Sequence, residues 1–380
     1  MEEGLTLGIN GWRMHGLRTG VARYLSNIVS RWDREHTADF RRIRFYTGRP
    51  LDRSAIELPA NIEPVLLRSR LPMIPWENLH LARQSDDDVL FAPSHSIPLW
   101  TGGKTVVAIH DALLHLHPER FPWTARQFHD RLYGWSGRHA TLVITDSNAA
   151  AADIARSYGV PGERIRVVYL AADEVFRRSE ARAFDMEGAR RHVGSNDPYF
   201  LFVGKMSGRR DIPTLFEGFA EFIKRRSPPQ HRLVLAGSNS HGLELNLLAQ
   251  RAGIAERVVF VERPGDADLG GLYAGAVALI SPSVYETVCL PVLEAQAAGT
   301  PVICIDSAGM REIAGDGAIY LPHMETDEIA AAMEALAASG DLTKELASNG
   351  LRSSARFSWD RCAKETLDVM REAATMERPG

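Results

Sequence analysis

Short apolar runs recur along the whole chain, and most are followed by a stretch of helical periodicity. That alternation constrains the fold more than any other feature. Strands joined by crossover helices pair in parallel, and a parallel sheet needs helices over both faces. In the first half the runs predict strands at Leu5–Asn10, Ile43–Thr47, Val89–Pro93, Thr105–His110, Leu142–Asp146 and Ile165–Tyr169. In the second half they predict strands at Tyr199–Val203, Leu233–Ala236, Val258–Val261, Val277–Ser281, Pro301–Ile305 and Ala318–Leu321. Between them, Val21, Tyr24, Leu25, Ile28, Val29 and Trp32 form one apolar stripe on a helix starting near Gly20. Ser147 stands where an N-cap belongs, before an Ala-rich helix over 148–158, and Pro213 opens a helix over 213–226.

A chain of 380 residues has room for two domains of ordinary size. The segment Arg177–Pro198 is charged, then rich in loop-forming residues, and reads as the linker. We therefore expect two doubly wound, Rossmann-like α/β domains facing a cleft, over 1–190 and 191–357. Ligands of such sheets bind beyond the carboxyl ends of the strands, so the loops that follow strands carry the candidate chemistry.

Composition narrows the function. The formal net charge is −4, which argues against wholesale nucleic-acid binding. Cys289, Cys304 and Cys362 form no CxxC pair, which argues against a disulfide framework or zinc knuckle. No apolar run is long enough to span a bilayer, and the first residues are acidic where a signal peptide would be basic. The expected location is the cytoplasm. The stretch holding Phe121, Trp123, Phe128, Tyr133 and Trp135 with Arg120, Arg126, Arg131 and Arg138 reads as a half-buried packing helix, with peripheral membrane contact as the alternative.

Three constellations suit a phosphorylated ligand, each with a plainer alternative: solvated surface glutamates, a solvated basic loop and an ordinary turn. In the first, Glu286 lies on a loop after a strand, and Pro291 then opens a helix with Glu294 in its first turn. The backbone N–H groups of Thr287, Val288, Cys289 and Leu290 lead into that helix start, which attracts phosphate, while the two carboxylates can accept hydroxyl protons. In the second, Lys205, Arg209 and Arg210 crowd a loop between a strand and a helix, where cations suit a leaving diphosphate. In the third, Gly20 opens the first long helix and lets backbone approach a diphosphate closely. His110 follows an apolar strand and precedes Asp111. With His115 and His117 these residues could be metal ligands, but no second cluster supports a metal, and none is expected. Asp86-Asp87-Asp88 and Asp266-Ala267-Asp268 read as surface or base-contacting loops.

The stretch Tyr285-Glu286-Thr287-Val288-Cys289-Leu290-Pro291-Val292-Leu293-Glu294, followed by Ala298-Gly299-Thr300-Pro301, resembles the paired-glutamate signature of family 4 retaining glycosyltransferases with the GT-B fold. Arg18-Thr19-Gly20-Val21, His110-Asp111, Gly162-Glu163-Arg164-Ile165, Ser307-Ala308-Gly309-Met310-Arg311-Glu312 and Phe357-Ser358-Trp359-Asp360 resemble its other segments in order. The resemblance implies a GT-B enzyme whose last helix, 358–376, packs back onto the first domain. It implies transfer of a hexose from a nucleoside-diphosphate sugar, with GDP-mannose as first choice, to a glycan or lipid-linked acceptor without a metal. It gives Glu286 the donor-sugar hydroxyls, Glu294 the ribose, Lys205 and Arg210 the diphosphate, and His110 a contact with the donor sugar. Two alternatives remain at this point: a non-catalytic nucleotide-sugar-binding protein, or a GT-B phosphorylase or epimerase. Where the family commonly has glycines, this chain has Thr287 and Cys289, which implies a narrowed or reshaped donor pocket. Asn10-Gly11-Trp12 is likewise bulkier than the family's first strand end.

Overall fold

The computed structural model describes residues 4–15, 19–52, 56–178, 184–207, 210–225, 230–239 and 242–378. The chain splits into two compact units, Met1–Leu170 with Ser358–Gly380, and Ala171–Phe357. The first holds β1 (Leu5–Asn10), β2 (Phe40–Thr47), β3 (Ile62–Leu66), β4 (Val89–Ala92), β5 (Lys104–Ala108), β6 (Leu142–Thr145) and β7 (Ile165–Val167). They form one parallel seven-stranded sheet in the order β3-β2-β1-β4-β5-β6-β7. The second holds β8 (Tyr199–Val203), β9 (Arg232–Gly237), β10 (Val258–Glu262), β11 (Ala278–Ser281), β12 (Val302–Ile305) and β13 (Ala318–Leu321). Its parallel sheet runs β10-β9-β8-β11-β12-β13.

The central strands are apolar throughout because helices cover both faces. Leu233, Val234, Leu235 and Ala236 of β9 are fully buried, as are Val302, Ile303 and Cys304 of β12. Each large aliphatic side chain so buried contributes roughly 1.5–3 kcal/mol. In the first unit the stripe on the helix Gly20–Val29 buries Tyr24, Leu25, Ile28 and Val29. Trp32 lies beyond the helix end, fully buried, and its indole N–H donates to the Ala363 carbonyl at 3.0 Å. That bond ties the segment to the helix Trp359–Thr375, which also reaches the sheet through the ion pair Arg166–Glu372.

The division between units lies at 170/171, not at 190/191, and 177–198 is not a linker. The reason is burial: Phe176, Ala189 and Val193 belong to the core of the second unit, the last two on the helix Met186–Val193. β3 is the strand that no apolar run announces. It is an edge strand with Glu63 and Pro64 exposed, and an edge position tolerates a proline that cannot donate.

Candidate active site

In each sheet the chain runs outward on one side of its first strand and then returns to the other side. The crevice that opens at such a reversal is where these sheets bind ligands. In the second unit it lies between β8 and β11. The loops that leave these two strands are those holding Lys205 to Arg210 and Pro282 to Leu290, the segments singled out from the sequence.

The exits of β8 and β9 demand glycine. Gly204 and Gly237 both have φ of +146°, and a Cβ on Gly237 would lie 1.9 Å from the Gly204 carbonyl oxygen. The β8 loop then crosses to β11. The Asp211 N–H donates to the Pro282 carbonyl at 3.2 Å, and Arg210 pairs with Ser283 in an isolated antiparallel bridge. Asp211 also caps the helix Ile212–Lys224, its carboxylate accepting from the Thr214 N–H.

Arg210 is thereby held inside the crevice wall. Its Nη1 lies 2.7 Å from Glu286 Oε1, donates to Ser283 Oγ at 2.8 Å, and lies 3.9 Å from Cys289 Sγ. Only 11% and 7% of the Arg210 and Glu286 side chains are exposed, so this is a nearly buried ion pair. Burial opposes the arginine's charge, but Glu286, with Cys289 and Tyr273 adding, raises its pKa overall. Lys205, by contrast, is exposed. Arg209 lies outside the described residues.

The loop carrying Glu286 is pinned from below. Ser307 Oγ donates to the Glu286 carbonyl at 3.1 Å, and Gly309 lies against the same backbone. A Cβ on Gly309 would come within 2.6 Å of the Thr287 Cα and carbonyl oxygen. Cys289 stands at the N-cap of the helix Leu290–Ala297 and is 3% exposed. Its thiol turns inward, 3.8 Å from Ser281 Oγ, and burial pushes its pKa up. Its bulk fills the space beside Arg210 inside the unit. Among the described residues, no backbone acceptor takes the N–H groups of Val288, Cys289 or Leu290, the usual condition of a helix start. Glu294 is 4% exposed and accepts from the Tyr273 hydroxyl at 2.8 Å. Nothing in the sequence pointed to Tyr273 or to Ser283.

The first unit has its own reversal, between β1 and β4, and its own polar cluster. Glu77, fully buried, accepts from Asn10 Nδ2 at 2.8 Å and Ser96 Oγ at 2.9 Å. Burial raises its pKa to about 8. Arg13 Nε donates to Ser94 Oγ at 2.8 Å. Trp12 folds back over Gly48 and meets the Trp76 ring at 5.1 Å, so its bulk goes into packing. Gly20 is the first residue of its helix, capped by the Thr19 hydroxyl accepting from the Ala22 N–H at 3.2 Å.

His110 follows β5 with both ring nitrogens engaged: Nδ1 is 2.7 Å from Asp146 Oδ2 and Nε2 is 3.0 Å from the Pro93 carbonyl. Two acceptors require two N–H donors, so the ring is an imidazolium. Burial would lower its pKa, but Asp146, with Pro93 and Asp111 adding, raises it to about 9. The ordinary value is 6.5, so the stabilisation is complete below that pH and is lost as pH rises towards 9. Glu77 acts in the same direction, since its proton is kept to about 8 in the folded chain against an ordinary 4.5. Urea midpoints should therefore fall as pH rises from about 5 to 9. Asp146→Asn should flatten the upper part of the fall and Glu77→Gln the lower part. A wild-type midpoint that rises across this range would contradict both assignments.

The other histidines are paired separately, His115 with Asp130 at 3.2 Å and His117 with Glu119 at 3.3 Å. Among the described residues no group of three ligating side chains could hold a metal ion. Asp86-Asp87-Asp88 is not a plain surface loop. Asp87 is 2% exposed, and its carboxylate accepts from Arg44, Ser85 and the Tyr46 hydroxyl, while Asp88 accepts from Thr6. These contacts clamp β4 to β1 and β2 where β4 begins. The aromatic stretch after His117 is also less buried than expected, with Trp123 65% and Phe128 55% exposed.

Comparison with known proteins agrees with this geometry. Residues 18–175 match the family described as Glycosyltransferase Family 4, and residues 187–353 match Glycosyl transferases group 1. The O-antigen chain mannosyltransferase B of Escherichia coli is 26% identical over 313 residues, 81% of this chain and 80% of that protein. A D-inositol 3-phosphate glycosyltransferase of Corynebacterium urealyticum is 29% identical over 252 residues, 64% of this chain but only 59% of that protein. Among solved structures, Anabaena HepE in complex with UDP-glucose superimposes with a TM-score of 0.76 at 19% identity, covering 97% of this chain and 100% of that one. WaaG, a glycosyltransferase involved in lipopolysaccharide biosynthesis, superimposes with a TM-score of 0.74 at 18% identity, covering 96% and 99%. With both halves matched in order, each on its own parallel sheet, the chain belongs to the family 4 glycosyltransferases of the GT-B fold and is a transferase enzyme.

Proposed function

We propose that the enzyme is a retaining hexosyltransferase of polysaccharide assembly. It takes a hexose from a nucleoside-diphosphate sugar and places it on a glycan or lipid-linked acceptor, without a metal. The observation that carries this reading is the nearly buried Arg210–Glu286 pair in the second sheet's crevice, beside the open amides of Val288, Cys289 and Leu290. The amides and the helix start suit a diphosphate, and Lys205 and Arg209 add positive charge from the neighbouring loop. Glu286 orients hydroxyls of the donor sugar, and Glu294 accepts from the ribose. As the bond to the anomeric carbon breaks, the leaving diphosphate takes up charge next to Arg210, and its oxygen takes the acceptor's proton on the same face of the sugar. His110, with both N–H groups already donated, acts through its charge, and Gly20 begins its helix without a side chain.

GDP-mannose is the first candidate donor, supported by the mannosyltransferase relative; UDP-glucose is the second, supported by the ligand of HepE. Unfolding temperatures of the full chain in a panel of nucleotide sugars separate them, because a ligand that binds the folded state raises the midpoint according to its affinity. One sugar nucleotide should raise it and its free monosaccharide should not. No shift with any nucleotide sugar would overturn the reading.

The exposed rings of Trp123 and Phe128, with exposed Arg131 on the same helical segment, support a peripheral contact with an anionic bilayer on the cytoplasmic side. Among the described residues no helix is long and apolar enough to cross one. Co-sedimentation with anionic but not neutral vesicles, lost in Trp123→Ala with Phe128→Ala, tests the contact.

A further inference from the structure

Glu294 is the fifth residue of the helix Leu290–Ala297, past the first turn in which the sequence places it, and is 4% exposed. One contact on its carboxylate comes from a different element. Tyr273, on the helix Asp266–Gly275, is fully buried, and its hydroxyl donates to Glu294 Oε2 at 2.8 Å. The ring cannot move to find another partner. It meets Phe176 edge-on at 5.6 Å, and its own backbone carbonyl is held by the Thr300 hydroxyl at 2.6 Å. A buried phenol needs an acceptor, and a carboxylate at the edge of a crevice needs a fixed direction.

We infer that Tyr273 is a positioning residue for nucleotide recognition: it fixes one oxygen of the Glu294 carboxylate so that the group meets the ribose hydroxyls in a single orientation. The inference rests on the proposed role of Glu294, and it goes beyond that role by assigning ribose selectivity to a residue that the ligand does not touch. Donating to Oε2 engages one carboxylate oxygen and leaves the other as the acceptor a ribose diol requires.

The test uses the full chain and four probes: GDP, UDP and the 2′,3′-dideoxy form of each, titrated by calorimetry. In the wild type, at least one of the two bases should show a clear preference for the ribose form. Glu294→Gln should abolish that preference. Tyr273→Phe keeps the ring and removes only the hydroxyl. It should weaken the ribose form about ten-fold, leave the dideoxy form within about two-fold, and add nothing to Glu294→Gln in the double variant. Phe176→Leu keeps the hydroxyl but loosens the ring that aims it, and should lower the preference in part.

If Glu294→Gln abolishes the preference and Tyr273→Phe leaves it intact, the inference fails while the role of Glu294 stands. If Tyr273→Phe weakens both forms equally, its effect is on packing and the inference also fails. If Glu294→Gln itself keeps the preference, the role of Glu294 fails, and the inference with it. If Tyr273→Phe does not fold, the Phe176→Leu titration still decides: a fall in the ribose preference with dideoxy binding kept supports the assignment, and an unchanged preference, or an equal fall in both forms, contradicts it.

Discussion

Arg210→Ala should slow transfer by about 10²–10³ and also destabilise the second unit. The substitution strips the Arg210 guanidinium from Glu286, whose side chain is only 7% exposed, and leaves that carboxylate inside the crevice wall. Breaking a buried pair by removing one member costs about 3–5 kcal/mol, because the remaining charge loses a counter-charge where water is scarce. It also removes the hydrogen bond to Ser283, which helps to join the β8 and β11 loops. On top of that comes the loss of charge stabilisation at the leaving group, about 10²–10³ in rate. Lys205→Ala is the contrast. That side chain is exposed, so its removal should lower the rate by about 10² with the denaturation midpoint unchanged. Chemical denaturation and steady-state kinetics on the two variants separate the cases. Equal stability for both would show that the Arg210–Glu286 pair contributes nothing to the fold.

Glu286→Gln and Glu294→Gln should fail in different ways. Glu286 is held against Arg210, and its loop is fixed by Ser307 and Gly309, so its carboxylate has one place to point. The amide keeps the shape but loses the charge. It also presents an NH2 group where the guanidinium needs an acceptor. We expect kcat to fall by about 10³ with donor binding largely kept, the sign of an interaction made in the transition state. Glu294→Gln should instead raise the donor KM about ten-fold with a smaller change in kcat, because ribose contacts are the same in the ground and transition states. Small and equal effects of both substitutions on kcat and KM would contradict the assignment.

The second sheet and its crevice were legible in the sequence because both are local. Each strand is a compact apolar run, and Glu286, Pro291 and Glu294 lie within one strand–loop–helix unit. The site's depth was not legible. Arg210 and Glu286 are 76 residues apart, so a sequence shows a basic loop and a carboxylate but not that they are one nearly buried pair. Glu294 and Tyr273 pose the same difficulty, as do Glu77 and Asn10: each bond joins elements brought together only by the sheet order. The boundary between units was misplaced because the second unit's first segment anchors itself with few residues, Phe176, Ala189 and Val193, set among charged ones. β3 escaped because an edge strand need not be apolar. Cys289 read as an intrusion into the donor pocket because sequence gives bulk but not direction, and its thiol turns inward.

We propose metal-free transfer with retention, carried by the chain's own cations and helix-end amides. The most direct test is proton NMR of the first-formed product, made in excess EDTA with the nucleotide sugar that most stabilises the chain. The expected product keeps the donor's anomeric configuration and forms at the same initial rate with and without EDTA. An inverted anomer, or a product that forms only after Mg²⁺ or Mn²⁺ is restored, would contradict metal-free retention.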